Sequence, residues 1–282
     1  MLKLPNLDGA SSPNAAGEAT RAAPRRAARW LGCHRIELET CGSTNDEAAR
    51  LARAGARHGA VVTARAQSAG RGRAGRSWDS PEGGNLYVSL VLRPALPLRD
   101  VPAMTLALGI AVCEVARAFG APATLKWPND VLIEGRKVAG ILVESQSRGE
   151  RLDLVIAGIG VNLSTTPSAA LAPHATALAE HLSAPVEREV FLAALLPVVE
   201  HWIDRYVASG LLGILATWHS YMDEHLHARA QIGGARVLGR MEGLDEQGAL
   251  LLRDEHGVLH HVFAGEVETF RAAAAATVDA AR

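Results

Sequence analysis

The chain has 282 residues, of which 48% are hydrophobic and 21% are charged, and its formal net charge is −1 at pH 7. This length is enough for two domains, and a nearly neutral chain has no general electrostatic attraction to nucleic acid or membrane surfaces. No uninterrupted apolar run reaches the roughly 18 residues that a membrane-spanning helix needs. The cysteines Cys33, Cys41 and Cys113 lack metal-site spacing and indicate idle thiols in a reducing cytoplasm.

The first segment, residues 1–35, is rich in Ala, Arg and Pro and lacks the apolar centre of a secretory signal. A transit peptide is an alternative, but Asp8 and Glu18 count against it, so we predict a disordered leader. Order is predicted to begin at residues 36–38. A helix follows, because Thr44 and Glu47 have the spacing of a capping box before an apolar stripe.

Apolar periodicity and turn signals predict the elements that come next. The strands among them are residues 60–64, 85–92, 125–133, 138–145 and 152–163. The helices are residues 100–119, 187–209 and 211–223. From about residue 228 the chain changes to short β segments at residues 235–238, 249–252 and 260–263. Tight turns around Gly135 and Gly149 predict that the three strands from residue 125 onward are consecutive and antiparallel.

Residues 67–78 place arginines among glycines and end on Trp78. Gly70, Gly72 and Gly75 match the glycine pattern of dinucleotide-binding folds, but that pattern requires a helix directly after the loop. A turn and a strand follow instead, so this interpretation is excluded. Positive charge for a phosphate must then come from the arginines. On this loop alone, a solvated and mobile turn is the alternative.

A second motif, Lys126-Trp127-Pro128-Asn129-Asp130, lies seven residues before Lys137. The predicted hairpin brings Asn129 and Asp130 close to Lys137. A carboxylate keeps a neighbouring lysine charged and oriented, and an Asn/Asp pair supplies the oxygen ligands that Mg²⁺ prefers. The alternative is that both lysines are ordinary surface charges and that Trp127 belongs to the core.

Together these motifs resemble those of the biotin protein ligases in order and spacing, over about residues 36–270. The matching segments are residues 43–45, 67–78, 85–89, 126–130, 136–144 and 158–163. The resemblance implies an α+β fold of the class II synthetase-like, biotin/lipoate ligase type, with a mixed, largely antiparallel sheet packed with helices. It implies a catalytic domain at residues 36–225, a small SH3-like β-barrel at residues 226–271 and a tail at residues 272–282.

The resemblance also implies a reaction in two steps. Biotin and MgATP first give biotinyl-5′-AMP and pyrophosphate, and a lysine of a biotin carboxyl carrier protein, from acetyl-CoA carboxylase or a related carboxylase, then attacks this anhydride. We expect a cytoplasmic monomer or homodimer that uses Mg²⁺ and does not contact a membrane. Some relatives carry an N-terminal DNA-binding domain, but the Ala/Pro-rich leader predicts no DNA binding here.

By similarity, Lys137 and Arg73 would be the catalytic residues. The residues implied to bind biotin are Ser43, Thr44, Asn45, Gln67, Arg71, Gly72, Arg73, Lys137 and Gly140. Those implied to bind ATP are Arg71, Arg73, Arg76, Trp78, Lys126, Asn129, Asp130 and Asn162. Trp78 would stack on adenine, and Asn129 with Asp130 would hold Mg²⁺. For Asn162, lining the nucleotide pocket and simply ending a strand both remain open.

Two rival functions remain. Lipoate or octanoyl protein ligation uses a related fold, but the Arg/Gly loop and the Lys126–Asp130 motif favour biotin. A non-catalytic ligand-binding or nucleic-acid-binding module is disfavoured by the near-zero net charge. Pyrophosphate release that depends on biotin and ATP would distinguish the three functions.

Overall fold

The computed structural model describes residues 28–164, 173–223, 226–232, 234–263, 265 and 267–271. Most of the predicted leader and the whole predicted tail lie outside these residues. The strands of the larger sheet are β1 (Arg35–Cys41), β2 (Val61–Gln67), β3 (Leu86–Leu92), β4 (Ala123–Lys126), β5 (Asp130–Ile133), β6 (Arg136–Arg148) and β7 (Arg151–Val161). The helices are α1 (Thr44–Arg53), α2 (Met104–Ala118), α3 (Arg188–Ser209) and α4 (Leu212–Tyr221).

The larger sheet has seven strands in the order β1-β2-β3-β7-β6-β5-β4. Strands β1 and β2 are parallel because α1 connects them as a crossover, whereas the other neighbours are antiparallel. This arrangement confirms the predicted mixed, largely antiparallel sheet. The predicted run of three consecutive antiparallel strands is also present, as β5, β6 and β7.

Helix α2 lies at the centre of the hydrophobic core and packs against α3 and the sheet. It has 15 residues, of which 12 are buried. Together with the 3-10 turn before it, it forms the segment Leu98–Ala118, which is long and apolar enough to cross a membrane by length and composition alone. However, 67% of the apolar 18-residue window in that segment is buried inside the protein, as in the core helix of a globular fold.

The predicted strand at residues 125–133 is wrong, because the chain reverses in its middle. Strand β4 ends at Lys126, a turn with a cis Trp127–Pro128 bond follows, and β5 begins at Asp130. Proline has no N–H for a strand ladder and has a fixed φ, so Pro128 is compatible with a turn and not with a central strand. The reversal pairs Lys126 directly with Asp130 across the two strands.

Two predicted helix starts also differ from the structure. Helix α2 begins at Met104, after a 3-10 turn over Leu98–Ala103 that contains Pro102. Helix α1 has Ser43 as its N-cap residue and no side-chain cap, so the predicted capping box of Thr44 and Glu47 does not form. The Thr44 hydroxyl is instead hydrogen-bonded in the cavity described below.

The C-terminal residues form a second, five-stranded antiparallel sheet in the order β11-β10-β9-β8-β12. Its strands are β8 (Leu226–Ile232), β9 (Ala235–Leu244), β10 (Leu250–Arg253), β11 (Leu259–Val262) and β12 (Val267–Arg271). The sequence predicted segments of β9, β10 and β11, but not β8 and β12. Hydrogen bonds between side chains and backbone join this sheet to the larger part of the protein. Trp127 Nε1 donates to the Gly248 carbonyl at 3.0 Å, and the Leu244 N–H donates to His219 Nε2 at 2.8 Å.

Residues 28–34, which the sequence assigned to the leader, are packed against α3. The buried Glu200 carboxylate accepts hydrogen bonds from the backbone N–H groups of Arg29, Trp30 and Leu31. The Trp30 ring stacks on His58 with ring centres 4.3 Å apart. Burial raises the pKa of Glu200, but the backbone N–H groups and the Arg29 guanidinium lower this pKa more, so it lies below its usual value.

Two N-terminal deletions test whether the hydrogen bonds to Glu200 anchor residues 28–34 to α3. Removing residues 1–31 takes away all three donors to Glu200 and should lower the free energy of unfolding by about 1–3 kcal/mol, since a buried acceptor loses its partners. Removing residues 1–27 keeps the donors and serves as the control.

The stabilisation by these hydrogen bonds depends on pH. Because the pKa of the Glu200 carboxyl is lowered in the folded state, the stabilisation is present above about pH 4.3 and is lost as pH falls through the folded-state pKa. Urea unfolding of both deletions at pH 7 and pH 4 checks this, and equal stability at pH 7 would disprove the anchor.

Candidate active site

The candidate site is a cavity on one face of the larger sheet, lined by Tyr87 near the start of β3, residues 158–160 near the end of β7 and residues 140–142 in the first half of β6. The start of α1 closes one end, and residues 67–78 cover the top. The lining residues are Ser43, Thr44, Asn45, Gln67, Arg71, Gly72, Arg73, Arg76, Ser77, Trp78, Tyr87, Asn129, Lys137, Gly140, Ile141, Leu142, Gly158, Ile159 and Gly160. All of the residues predicted to bind biotin are therefore brought together here.

The end of the cavity near α1 is a buried network of donors and acceptors. Gln67 Oε1 accepts from the Thr44 N–H at 2.8 Å and from the Thr44 hydroxyl at 3.1 Å. The Ser89 hydroxyl lies 2.8 Å from Thr44 Oγ1 and donates to Asn45 Oδ1 at 2.6 Å. Ser89 was not predicted as a site residue, although a serine in the otherwise apolar β3 could have indicated a polar role. This end of the cavity can match a polar ring that both donates and accepts.

The floor of the cavity is formed by the backbone of three glycines, which have no side chains to fill it. Gly140 on β6 pairs with Gly160 on β7, and Gly158 lies two residues before Gly160 on the same face. A Cβ at position 160 would lie 2.6 Å from the Trp78 ring, and one at position 158 would overlap Asn45 Oδ1. Only glycine permits these approaches. Of these three glycines, only Gly140 was predicted as a site residue, although alternate glycines in a buried strand were a signal for Gly158 and Gly160.

Residues 67–78 fold back over this floor as a cover. The Gly72 N–H donates to the Arg76 carbonyl at 2.7 Å, and the Trp78 N–H donates to the Gly70 carbonyl at 2.8 Å. The Trp78 ring lies on the glycine floor, with Lys137 Nζ 5.1 Å from its centre. Its Nε1 is buried and has no hydrogen-bond partner among the described residues. The cover therefore brings a large aromatic face and a vacant donor into the cavity.

The other end of the cavity is a group of charged residues around Asp130. Lys137 Nζ lies 2.6 Å from Asp130 Oδ1, and Lys126 Nζ lies 3.8 Å from Asp130 Oδ2. This geometry confirms the predicted proximity of Asp130 and Lys137. Residues 174–176 bond to the Lys137 backbone on both sides, through its N–H and its carbonyl. The fixed backbone and the paired carboxylate hold the Lys137 ammonium in place, pointed into the cavity.

The expected Mg²⁺ ligands, Asn129 and Asp130, do not fit a metal site held by the protein. The Asp130 carboxylate already has two ammonium groups beside it. The Asn129 amide donates to the Ile141 carbonyl at 2.9 Å, and its Oδ1 lies 3.5 Å from the Arg73 guanidinium. A divalent cation here would meet three positive side chains. Within the described part of the chain, no cluster of three His, Cys, Asp or Glu residues forms a metal site elsewhere.

The remaining predicted ATP ligands lie at or beyond the cavity edge. Lys126 lines two neighbouring depressions together with Arg76 and Asp130. Asn162 follows β7 and is absent from the cavity lining. Its amide donates to the Thr176 carbonyl, and its Oδ1 is buried without a partner among the described residues. This geometry supports the interpretation that Asn162 ends the strand and holds residues 176–178 beside β6.

Comparison with known proteins places this site in a class. The sequence profile of the Biotin/lipoate A/B protein ligase family matches residues 40–162, and the profile of the Biotin protein ligase C terminal domain matches residues 229–269. The first profile contains most of the cavity, and the second contains most of the smaller sheet. The fold and the site thus define a protein of the biotin/lipoate ligase class.

Comparison with individual relatives shows which family within this class the chain resembles. The biotin–[acetyl-CoA-carboxylase] ligase of Paracoccus denitrificans is 41% identical over 235 residues, which cover 78% of this chain and 94% of the relative. The biotin protein ligase of Aquifex aeolicus in complex with biotin and ATP has a TM-score of 0.73 at 28% identity and covers 85% of this chain and 100% of that one. The Leishmania major biotin protein ligase in complex with biotinyl-5-AMP has a TM-score of 0.58 at 26% identity, covering 82% and 98%. The chain belongs to the biotin protein ligase family.

Proposed function

We propose that this protein activates biotin with MgATP and transfers it to a lysine of a carrier protein that is part of a carboxylase. The observation that carries the proposal is the order of groups along one cavity. A buried network of donors and acceptors lies at one end, a glycine floor lies in the middle, and the fixed ammonium of Lys137 lies at the other end. This order matches a ligand with a polar ring, an apolar chain and a carboxylate.

In the first step, the ureido ring of biotin would bind Thr44, Asn45 and Gln67 at the end near α1, with Ser43 and Ser89 beside them. The valeryl chain would run along the glycine strands beside the Trp78 ring, and the carboxylate would reach Lys137 under the cover. Attack of a carboxylate on the α-phosphate of ATP brings two anions together. Fixed cations offset this repulsion and stabilise the charge that develops at phosphorus. Lys137 and Arg73 would supply these cations.

ATP would bind next to this carboxylate. We propose that Trp78 stacks on the adenine, whereas Arg76, Lys126 and the Asn129/Asp130 turn face the phosphates. Mg²⁺ would enter as part of the MgATP substrate, bound to the phosphates.

In the second step, the acceptor lysine of the carrier protein attacks the acyl carbon of biotinyl-5′-AMP, and AMP leaves. The attacking groups belong to biotin and to the carrier, so the protein needs no nucleophile of its own. Its contribution is to hold the anhydride and to exclude water, since an acyl adenylate hydrolyses readily. The folded cover of residues 67–78 supplies this exclusion.

Biotin-dependent exchange of pyrophosphate into ATP tests the proposal. We expect exchange with biotin, little exchange with lipoate or octanoate, and labelling of a biotin carboxyl carrier protein when it is added. Exchange with lipoate or octanoate in place of biotin would support the rival lipoate or octanoyl ligase. No exchange with any of the three acids would support a binding module without catalysis.

Arg73→Gly is expected to leak the intermediate. The Arg73 guanidinium joins the cover to the Asn129 turn, so its loss should loosen the cover and raise the off-rate of biotinyl-AMP about tenfold or more, the factor that corresponds to about 1.4 kcal/mol. Release of labelled biotinyl-AMP into an unlabelled chase measures this rate, and Arg73→Lys, which keeps the charge, is the matched comparison. An off-rate equal to that of the unsubstituted protein would count against a role for Arg73 in retention.

A further inference from the structure

Arg71 is part of the cover, yet its side chain points to two carboxylates at the rim of the cavity. Its NH1 lies 2.5 Å from Asp46 Oδ1 on α1, and its NH2 lies 3.0 and 2.9 Å from the two carboxylate oxygens of Glu144 on β6. The guanidinium thus bridges two elements that lie on either side of the cavity mouth. Arg71, which the sequence predicted to bind biotin and phosphate, is therefore already paired with two carboxylates of the protein itself.

Glu144 makes a further contact, which reaches into the cavity. Its Oε2 accepts from Asn45 Nδ2 at 2.7 Å, while Asn45 Oδ1 accepts from the Ser89 hydroxyl at 2.6 Å. Because a carboxylate only accepts hydrogen bonds, Glu144 requires the NH₂ group of Asn45 to face it. The Asn45 carbonyl oxygen must then face Ser89 and the Gly158 backbone. One carboxylate therefore binds both the cover and a residue of the polar network.

We propose that Arg71, Asp46 and Glu144 form a clasp that holds residues 67–78 closed, and that Glu144 is a positioning residue that sets the orientation of Asn45 for biotin. The positioning role rests on the proposed function, whereas the clasp does not. Closure of the cover and alignment of the polar network are thereby linked, because both depend on the same carboxylate.

The electrostatics agree with a clasp of limited strength. Side chains of Arg71, Asp46 and Glu144 are 38%, 59% and 42% exposed, and isolated exposed ion pairs contribute little. Here one guanidinium bonds to two carboxylates through separate nitrogens, NH1 to Asp46 and NH2 to Glu144, and such a charged network is stronger than a single exposed pair. Hydrogen bonding to Asp46 and Glu144 raises the pKa of Arg71, although burial opposes this. A clasp of this strength can hold the cover closed and still open for substrates.

Limited trypsin digestion of the full-length protein without substrates tests the clasp directly. The cover contains trypsin sites after Arg73 and Arg76, and cleavage there follows the population of the open state. We expect Asp46→Asn and Glu144→Gln each to speed this cleavage about fivefold, as expected for the loss of about 1 kcal/mol. Glu47→Gln is the matched control, because Glu47 lies on the same helix but pairs with Arg50. Cleavage rates equal to the control in both variants would overturn the clasp, even if biotin ligation is absent.

Steady-state kinetics separate positioning from closure. Glu144→Gln should raise the KM for biotin about tenfold, because the Gln amide can present a donor where Asn45 Nδ2 needs an acceptor. It should change the KM for ATP no more than Asp46→Asn does, because both variants loosen the cover to a similar extent. Asp46→Asn does not touch Asn45 and should change the biotin KM much less. If Glu144→Gln speeds trypsin cleavage but changes the biotin KM no more than Asp46→Asn does, the positioning role is overturned and the clasp stands.

Discussion

Lys137→Ala is expected to lower the rate of biotinyl-AMP formation by at least ~10²–10³, which is the usual loss when one preorganised donor is removed from a charge-stabilising site. Lys137 Nζ is held beside Asp130 and the Trp78 ring, where the carboxylate of biotin and the α-phosphate are proposed to meet. Biotin-dependent ATP–pyrophosphate exchange measures the rate.

The neighbouring Arg136→Ala is the control for this experiment. Arg136 is a cation one residue away on the same strand, but it pairs with Glu180 at 3.1 Å outside the cavity. We expect it to keep nearly full exchange activity, and both variants should unfold cooperatively. Normal exchange in a folded Lys137→Ala protein would refute the proposed role of Lys137.

Gly158→Ala should raise the KM for biotin about tenfold or more. The new Cβ would overlap Asn45 Oδ1 and lie 3.0 Å from Asn45 Cγ. Asn45 is 4% exposed and is held by Ser89 and Glu144, so its amide cannot move without breaking buried hydrogen bonds. Such losses cost about 1–3 kcal/mol each. The ATP KM should change less, because Asn45 lies at the end of the cavity away from Lys137.

Gly42→Ala is the matched substitution, since a Cβ at that position meets nothing within 4 Å and Gly42 lies outside the cavity lining. Isothermal titration with biotin, together with initial rates, compares the two proteins. If both bind biotin as tightly as the unsubstituted chain, the glycine floor is not the biotin site.

The helices and strands that have a clear apolar pattern over a short stretch of sequence were predicted well. Strand β3 is a continuous apolar run bounded by turns, and α2 has a helical apolar stripe, so periodicity was sufficient for both. The hairpin that brings Asp130 to Lys137 followed from the turn at Gly135. The break at Pro128 was missed because the residues on both sides, Leu125 and Val131, have the same β character, and only Pro128 opposes a single strand.

Contacts between distant parts of the chain were harder to predict. Arg71 was expected to bind substrate anions, but its side chain bonds to Asp46 and Glu144, which lie 25 and 73 residues away. The anchor at Glu200 joins residues separated by 169 or more positions. No short-range spacing encodes such pairs, because they depend on how helices and strands pack.

From the amino-acid sequence alone one can read most of the helices and strands and the chemistry of the Arg/Gly loop and the Lys126–Asp130 motif, because these depend on residue type and local spacing. The α+β class followed from the family resemblance that these motifs carry. The packed fold decides which of these groups share one cavity and which direction each side chain takes. Gly158 and Gly160 become a floor only when β7 lies between β3 and β6, and Arg71 becomes a clasp only when α1 and β6 face each other across the cavity. Both follow from strand order and register, which bring together residues far apart in the chain.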